Sequence, residues 1–317
     1  MQFKPFLTID EQVALLNSRG VSTDGNTSAK LLREGYYSIV NGYKDPFLDA
    51  EATASAGDDR YLADTEFKDL SELFDFDRRL RELTFHYLIR AEATARTAIS
   101  YCFSEAHRGP SDYLVQSSYC SEQEFKKLGK GVSYIDEVTN LIGILKKRAK
   151  NSETDFVVHY RETYGAVPLW VLSNDLTFGN LEHFFNLMKP TEKEAAVKAI
   201  ARSTGRLGDK KLRYFSVERA TVCLEVLVKF RNICAHDERI YCARVGGRKD
   251  VGYSKMVWML ERFLTEREFM HYIVELVRLF EDGLEKNKAI EHVLSQVGLV
   301  EMLPDLKKRF GLDQQPE

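Results

Sequence analysis

The segment from residue 65 to residue 106 constrains the chain most. Phe67, Leu70, Phe74, Leu80, Leu83, Tyr87, Ala91, Ala95, Ile99 and Cys102 recur mostly at three- and four-residue steps, the period of a helix with one buried face. No Gly or Pro interrupts the run, so it is either one long helix or two with a break. The small residues Ala91, Ala93, Ala95 and Ala98 let another helix approach closely. Among them, Glu92 and Arg96 stand four apart. They read either as a surface ion pair worth a few tenths of a kcal/mol, or as a pair in which Glu92 holds Arg96 toward a site.

The remaining chain supplies helices of the same kind. Only 7 Pro and 19 Gly occur in 317 residues, and long stretches are rich in Leu, Glu, Lys, Arg and Ala, which favours helices over sheet. Thr8 caps a helix carrying Ile9, Val13, Leu15 and Leu16, and Gly20 stops it. A second short helix starts at Ser28. Residues 50–60, small and polar, read as a mobile loop. Further helices are expected from Ile135 to Arg148, from Pro168, after a turn at Gly179, over 191–203, from a cap at Ser216, over Ser254–Phe263 and Glu266–Leu284, and around Pro304. Arg206 to Arg213 is a basic connector, and Gly246-Gly247-Arg248 is a loop. Composition divides the chain into a small N-terminal unit (1–60), a helical domain (61–245) and a C-terminal helical extension (246–317).

Net charge is −3, so no broad basic surface for nucleic acid is evident, and RNA binding must come from local clusters. Five Cys without a CxxC pair suggest reduced thiols. Cys234, His236 and Cys242 give C-x-H-x5-C, which fits no common zinc pattern, so no metal and no cofactor is expected. The N-terminus does not read as a signal peptide, and no apolar run approaches the roughly 18 residues of a membrane span. A cytoplasmic protein without a membrane partner is expected.

One stretch concentrates reactive side chains: Lys229-Phe230-Arg231-Asn232-Ile233-Cys234-Ala235-His236-Asp237-Glu238-Arg239-Ile240-Tyr241. It follows the helical run Val217, Ala220, Leu224, Leu227, which places it on the last turns of a helix and the turn beyond. Arg binds phosphate through a planar fork, and His titrates near neutrality. RNA carries its own nucleophile, the 2′-hydroxyl, so one Arg and one His per chain can move the protons and steady the phosphorane without a metal, particularly if two chains each supply a set. Five residues make about 500° of turn, so on a regular helix Arg231 and His236 diverge by about 140°. They meet at one phosphate only if the helix ends or distorts near Cys234-Ala235, or if a second chain completes the site. Asn232 is placed to orient His236 or the phosphate, and Asp237 or Glu238 to set the His tautomer. The structural alternative is that His236 and Arg239 favour the dipole at a helix C-terminus.

Arg231 to His236 matches the R-x4–6-H motif of the HEPN superfamily, with its frequent polar residue after the Arg. Around it stand, in order, Thr8 to Gln12, Tyr36-Tyr37 through Gly42-Tyr43 to Pro46-Phe47, Leu73 to Arg81, Glu92 to Arg96-Thr97, His159-Tyr160, Pro168-Leu169-Trp170, Phe178-Gly179 and Arg231 to Arg239. This ordered set, from residue 5 to about 243, resembles the Abi-like (AbiD/AbiF) abortive-infection family. The resemblance implies an all-α HEPN-like bundle, a homodimer with facing motifs, and a metal-independent endoribonuclease used in antiphage defence or as a toxin. It also implies RNA as substrate and, as in some members, a small antitoxin RNA as a restraining partner. Arg231 and His236 are then catalytic and Asn232 the polar motif residue. Asp237 stands where members often carry a second His. Two other readings remain: an RNA-binding HEPN regulator that cuts nothing, and a helical interaction scaffold.

Overall fold

A computed structural model describes residues 5–129, 131–208, 215–246 and 250–312. Residues 209–213 of the basic connector, and Gly247 and Arg248 of the glycine loop, lie outside this set. The fold is all-α. In chain order the helices are Ile9–Ser18 (α1), Thr27–Glu34 (α2), Ala50–Ala56 (α3), Phe67–Ala106 (α4), Glu122–Lys126 (α5), Tyr134–Asn151 (α6), Asp155–Tyr164 (α7) and Leu169–Leu172 (α8). They continue as Phe178–Leu187 (α9), Pro190–Ser203 (α10), Val217–Ala235 (α11), Tyr253–Leu260 (α12), Glu266–Lys286 (α13), Lys288–Gln296 (α14) and Met302–Phe310 (α15). Among the described residues the only sheet is a two-stranded antiparallel hairpin, Arg244–Val245 (β1) with Val251–Gly252 (β2). No helix described is long and apolar enough to cross a membrane.

The 65–106 run is one helix, α4, without a break. Local chemistry sets several helix starts. Thr8 and Glu11 form a reciprocal capping box: the Glu11 amide donates to Thr8 Oγ1 at 3.3 Å and the Thr8 amide to Glu11 Oε2 at 2.7 Å. Ser216 caps α11 by accepting from the Arg219 amide at 3.3 Å.

Three sequence expectations change. Residues 50–56 are a helix rather than a loop. Asp49 accepts from the Ala52 amide, and Gly57 closes the end in the left-handed conformation, so caps at both ends outweigh the polar composition. Gly179 lies inside α9 rather than at a turn, because Thr177 and Asn180 cap the helix before it. The second helix includes Thr27 and begins one residue before Ser28.

By contacts between residues the chain gathers into two compact units. One compact unit gathers Met1–Leu83, Asp237–Ala243 and Ile273–Glu317; the other gathers Thr84–His236 and Arg244–Tyr272. Helix α4 contributes residues to both.

In the first unit, Leu16, Leu31, Val40, Phe74, Leu80, Leu276, Phe280 and Leu294 are buried. Phe76 meets Phe280 edge to face at 5.2 Å. Gly283 lies against the Phe76 ring so closely that an added Cβ would stand 2.8 Å from Cδ2. Asp77, fully buried, is the polar hub. Its carboxylate accepts from the Tyr43 hydroxyl at 2.7 Å, from Arg81 Nη1 at 2.8 Å, and from the Tyr241 and Ile240 amides at 2.7 and 3.2 Å. Burial pushes this carboxyl upward in pKa, while the hydroxyl, the two amides and Arg81 pull it down. Arg81 and the two amides can only donate, which favours the ionised form against the effect of burial. Asp77 thus fastens the segment Asp237–Ala243 to α4.

In the second unit, α11 packs against α9, α10 and α12. Its face Ala220, Cys223, Leu224, Leu227 and Phe230 is buried, and the Phe230 ring meets Tyr253. Tyr253 lies in a buried hydroxyl cluster, 2.8 Å from Thr84 Oγ1 and 2.7 Å from the Tyr272 hydroxyl.

Candidate active site at the end of α11

Helix α11 stops at Ala235. His236 is its C-cap, with φ −102° and ψ 15°, and its amide donates to the Asn232 carbonyl at 2.9 Å. Asp237 follows at φ 58°, a left-handed conformation in which further helical hydrogen bonds cannot form. Arg81 holds Asp237 there by ion-pairing with its carboxylate through Nη2, while Arg81 Nη1 donates to the Glu238 carbonyl at 3.4 Å. The helix therefore ends at Ala235, within the Cys234-Ala235 stretch where one of the two sequence alternatives put an end.

Phe230 is fully buried and anchors the last turns, leaving Arg231 at their edge, about one quarter exposed. Its Nε donates to Glu92 Oε2 at 3.2 Å. The other Glu92 oxygen, Oε1, accepts from Arg96 Nη2 at 2.6 Å. Glu92 is 5% exposed, and Ala91 and Ala95 beside it are fully buried, so this face of α4 is closed except around the carboxylate. A buried carboxylate costs several kcal/mol unless both oxygens are satisfied. Here each oxygen has one guanidinium donor. Glu92 and Arg96 are thus paired at a carboxylate that is buried rather than exposed.

Two guanidiniums and one carboxylate leave a net charge of +1 on the trio. Arg231 spends its Nε on Glu92, and Nη1 reaches Asn232 Oδ1 only at 3.5 Å, the outer limit of a hydrogen bond. Nη2 has no partner among the described residues. The outer edge of the fork thus remains available to an anion. Asn232 and His236 are exposed, and the His236 ring makes no hydrogen bond among the described residues.

The structure brings Glu92, Arg96, Arg231, Asn232 and His236 into one unit. Asp237 and Arg239 belong to the other. Asp237 gives its carboxylate to Arg81, and Arg239 pairs with Asp45 at 3.0 Å between partly exposed side chains, an interaction worth little. Of the two residues expected to set the His236 tautomer, Asp237 or Glu238, Asp237 gives one carboxylate oxygen to Arg81. Sequence reasoning passed over Asp77 and Arg81 as individuals. Their signal was legible as an acid–base pair four apart inside an apolar stripe, where neither charge can reach water without the other. Neither Cys234 nor Cys242 is in a disulfide, and no group of three or more His, Cys, Asp or Glu among the described residues is arranged to hold a metal.

Fold and site together define an all-α protein in which a buried carboxylate joins two arginines at the end of a His-capped helix. A model of the Abi-like protein family matches residues 29–242, a range that contains Asp77, Arg81, Glu92, Arg96, Arg231 and His236. The chain belongs to the Abi-like protein family, and this membership points to a role in abortive infection. No curated protein and no solved structure matches it.

Proposed function

We propose that the protein is a HEPN-type, metal-independent endoribonuclease of the AbiD/AbiF kind, acting as the toxic arm of an abortive-infection response. The observation that carries this reading is Arg231, tied to Glu92 through Nε with its outer fork free, five residues before an exposed His at the helix end. The ribose 2′-hydroxyl attacks the adjacent phosphorus, the O2′–P bond forms and the P–O5′ bond breaks. One imidazole takes the 2′ proton and one imidazolium protonates O5′, leaving a 2′,3′-cyclic phosphate and a 5′-hydroxyl. Arg231 steadies the phosphorane oxygens, and Arg96 adds positive field through the shared carboxylate. A single His cannot serve as base and acid in one step, so a homodimer with two facing motifs supplies the second. A small antitoxin RNA is a natural restraint on such a site.

A second reading is favoured by one observation: the His236 ring lacks the hydrogen-bonded carboxylate that usually orients a general base. In that reading the site holds RNA without cutting it. Purified protein incubated with cellular RNA in EDTA separates the two. Cleavage to cyclic-phosphate ends supports the nuclease; RNA retained intact supports the regulator; neither binding nor cleavage overturns both.

A further inference from the structure

Arg96 has a second surroundings besides Glu92. It lines an open cleft of about 490 Å³ whose other walls include Tyr101, Arg108, Trp170 and Asn174. We propose that this cleft is a groove for single-stranded RNA leading into the α11 site, with Trp170 and Tyr101 as base-stacking platforms and Arg96 and Arg108 as phosphate contacts. The proposal rests on the RNA reading above and adds to it where the strand lies and what grips it.

The aromatics carry the argument. Trp170 is 48% exposed and Tyr101 60%, although this fold buries most of its large rings. In α8 the neighbours of Trp170, namely Leu169, Val171 and Leu172, are all buried, so the indole is the one side chain of that turn turned outward. Asn174 locks the turn by donating from Nδ2 to the Trp170 and Val171 carbonyls at 3.2 Å each, which leaves its Oδ1 to accept from a base. Tyr101 donates to Glu105 at 3.3 Å, which steadies the phenol and occupies the one carboxylate in the lining. Rigid exposed rings flanked by cations are what sequence-tolerant single-strand binding requires, because every base offers a π-face.

Geometry suits a strand. From Arg96 to Ala106, α4 rises about 15 Å, the length of roughly four stacked bases at ~3.4 Å each. Arg108 lies just past its end, exposed and without an ion pair among the described residues. Cations therefore bracket the aromatics, and the inner one shares Glu92 with Arg231. A duplex hides its base faces and would gain nothing from Trp170 or Tyr101.

The test is fluorescence anisotropy with a labelled 12-nucleotide RNA of mixed sequence, using full-length His236→Ala protein so that nothing is cut. Trp170→Ala and Tyr101→Ala, each added to that background, should weaken binding about tenfold, Trp170→Phe should restore most of it, and a duplex of the same sequence should be unaffected. Arg108→Ala should lower the salt dependence by about one phosphate contact. Both rings are exposed, and an unchanged melting curve establishes that the variants are folded. If the parent binds and neither ring matters, the groove is wrong while the RNA reading stands. If the parent binds no RNA, both fall.

Discussion

Arg231 donates through Nε to Glu92 Oε2 at 3.2 Å, across 139 residues of sequence, and Glu92 is in turn held by Arg96. This hydrogen bond orients the guanidinium from behind and leaves its outer edge free. It also ties the end of α11 to the middle of α4, so the site cannot be formed by the R-x4-H stretch alone.

Glu92→Ala should therefore damage stability and activity together. Removing the carboxylate leaves two partly buried guanidiniums facing each other, a loss of about 2–4 kcal/mol after allowing for their partial exposure. Glu92→Gln keeps the shape and one acceptor oxygen but turns its amide N–H toward the other guanidinium, so it should be destabilised as well. Urea denaturation of the three proteins measures both; equal stability of wild type and Glu92→Ala would mean that the clamp does not form.

Arg231→Lys tests the fork. One ammonium can face Glu92 or a phosphate but cannot hold both in the planar arrangement of a guanidinium. RNA cleavage should fall at least about 100-fold, while stability changes by less than about 1 kcal/mol. Retention of full cleavage would show that bidentate contact is not required.

Asp77→Asn should loosen the segment after the motif. Asp77 accepts at both oxygens, and an amide must turn one donor toward other donors, at a cost of about 2–4 kcal/mol. Hydrogen exchange should accelerate at the Ile240 and Tyr241 amides before the rest of the protein. Unchanged protection of those two amides would remove Asp77 from the account.

Asp237 separates backbone from side chain. Both Asp237→Gly and Asp237→Ala lose the ion pair with Arg81, but only Gly accepts φ 58° without cost. The Ala protein should be less stable than the Gly protein by about 1 kcal/mol in chemical denaturation. Equal stabilities would mean that the left-handed turn relaxes.

What the sequence made legible follows from which signals are local. The helix over residues 67–102 was plain from their period, because the apolar stripe of a helix repeats within a few residues. The Arg231–His236 spacing, read against helix geometry, pointed to a helix end near Ala235, where α11 stops. The pairing of Glu92 with Arg231 was not legible, since nothing local relates residues 139 apart. Nor was the division into interleaved units, in which Asp237–Ala243 joins the N-terminal residues through Asp77 and Arg81. Helix α3 was missed because its caps, Asp49 and Gly57, stand at the margins of a stretch whose polar composition resembles a loop.

The central claim is that His236 moves a proton from a ribose hydroxyl to drive cleavage. The most direct measurement compares wild type and His236→Ala on a labelled RNA in EDTA, with a fully 2′-O-methylated copy of the same RNA alongside. The account predicts that wild type cuts the RNA to cyclic-phosphate ends, leaves the methylated copy whole, and loses at least about 1,000-fold of its rate in His236→Ala, which stays folded and still binds. Cleavage that persists in His236→Ala, or that proceeds equally on the methylated strand, would contradict it.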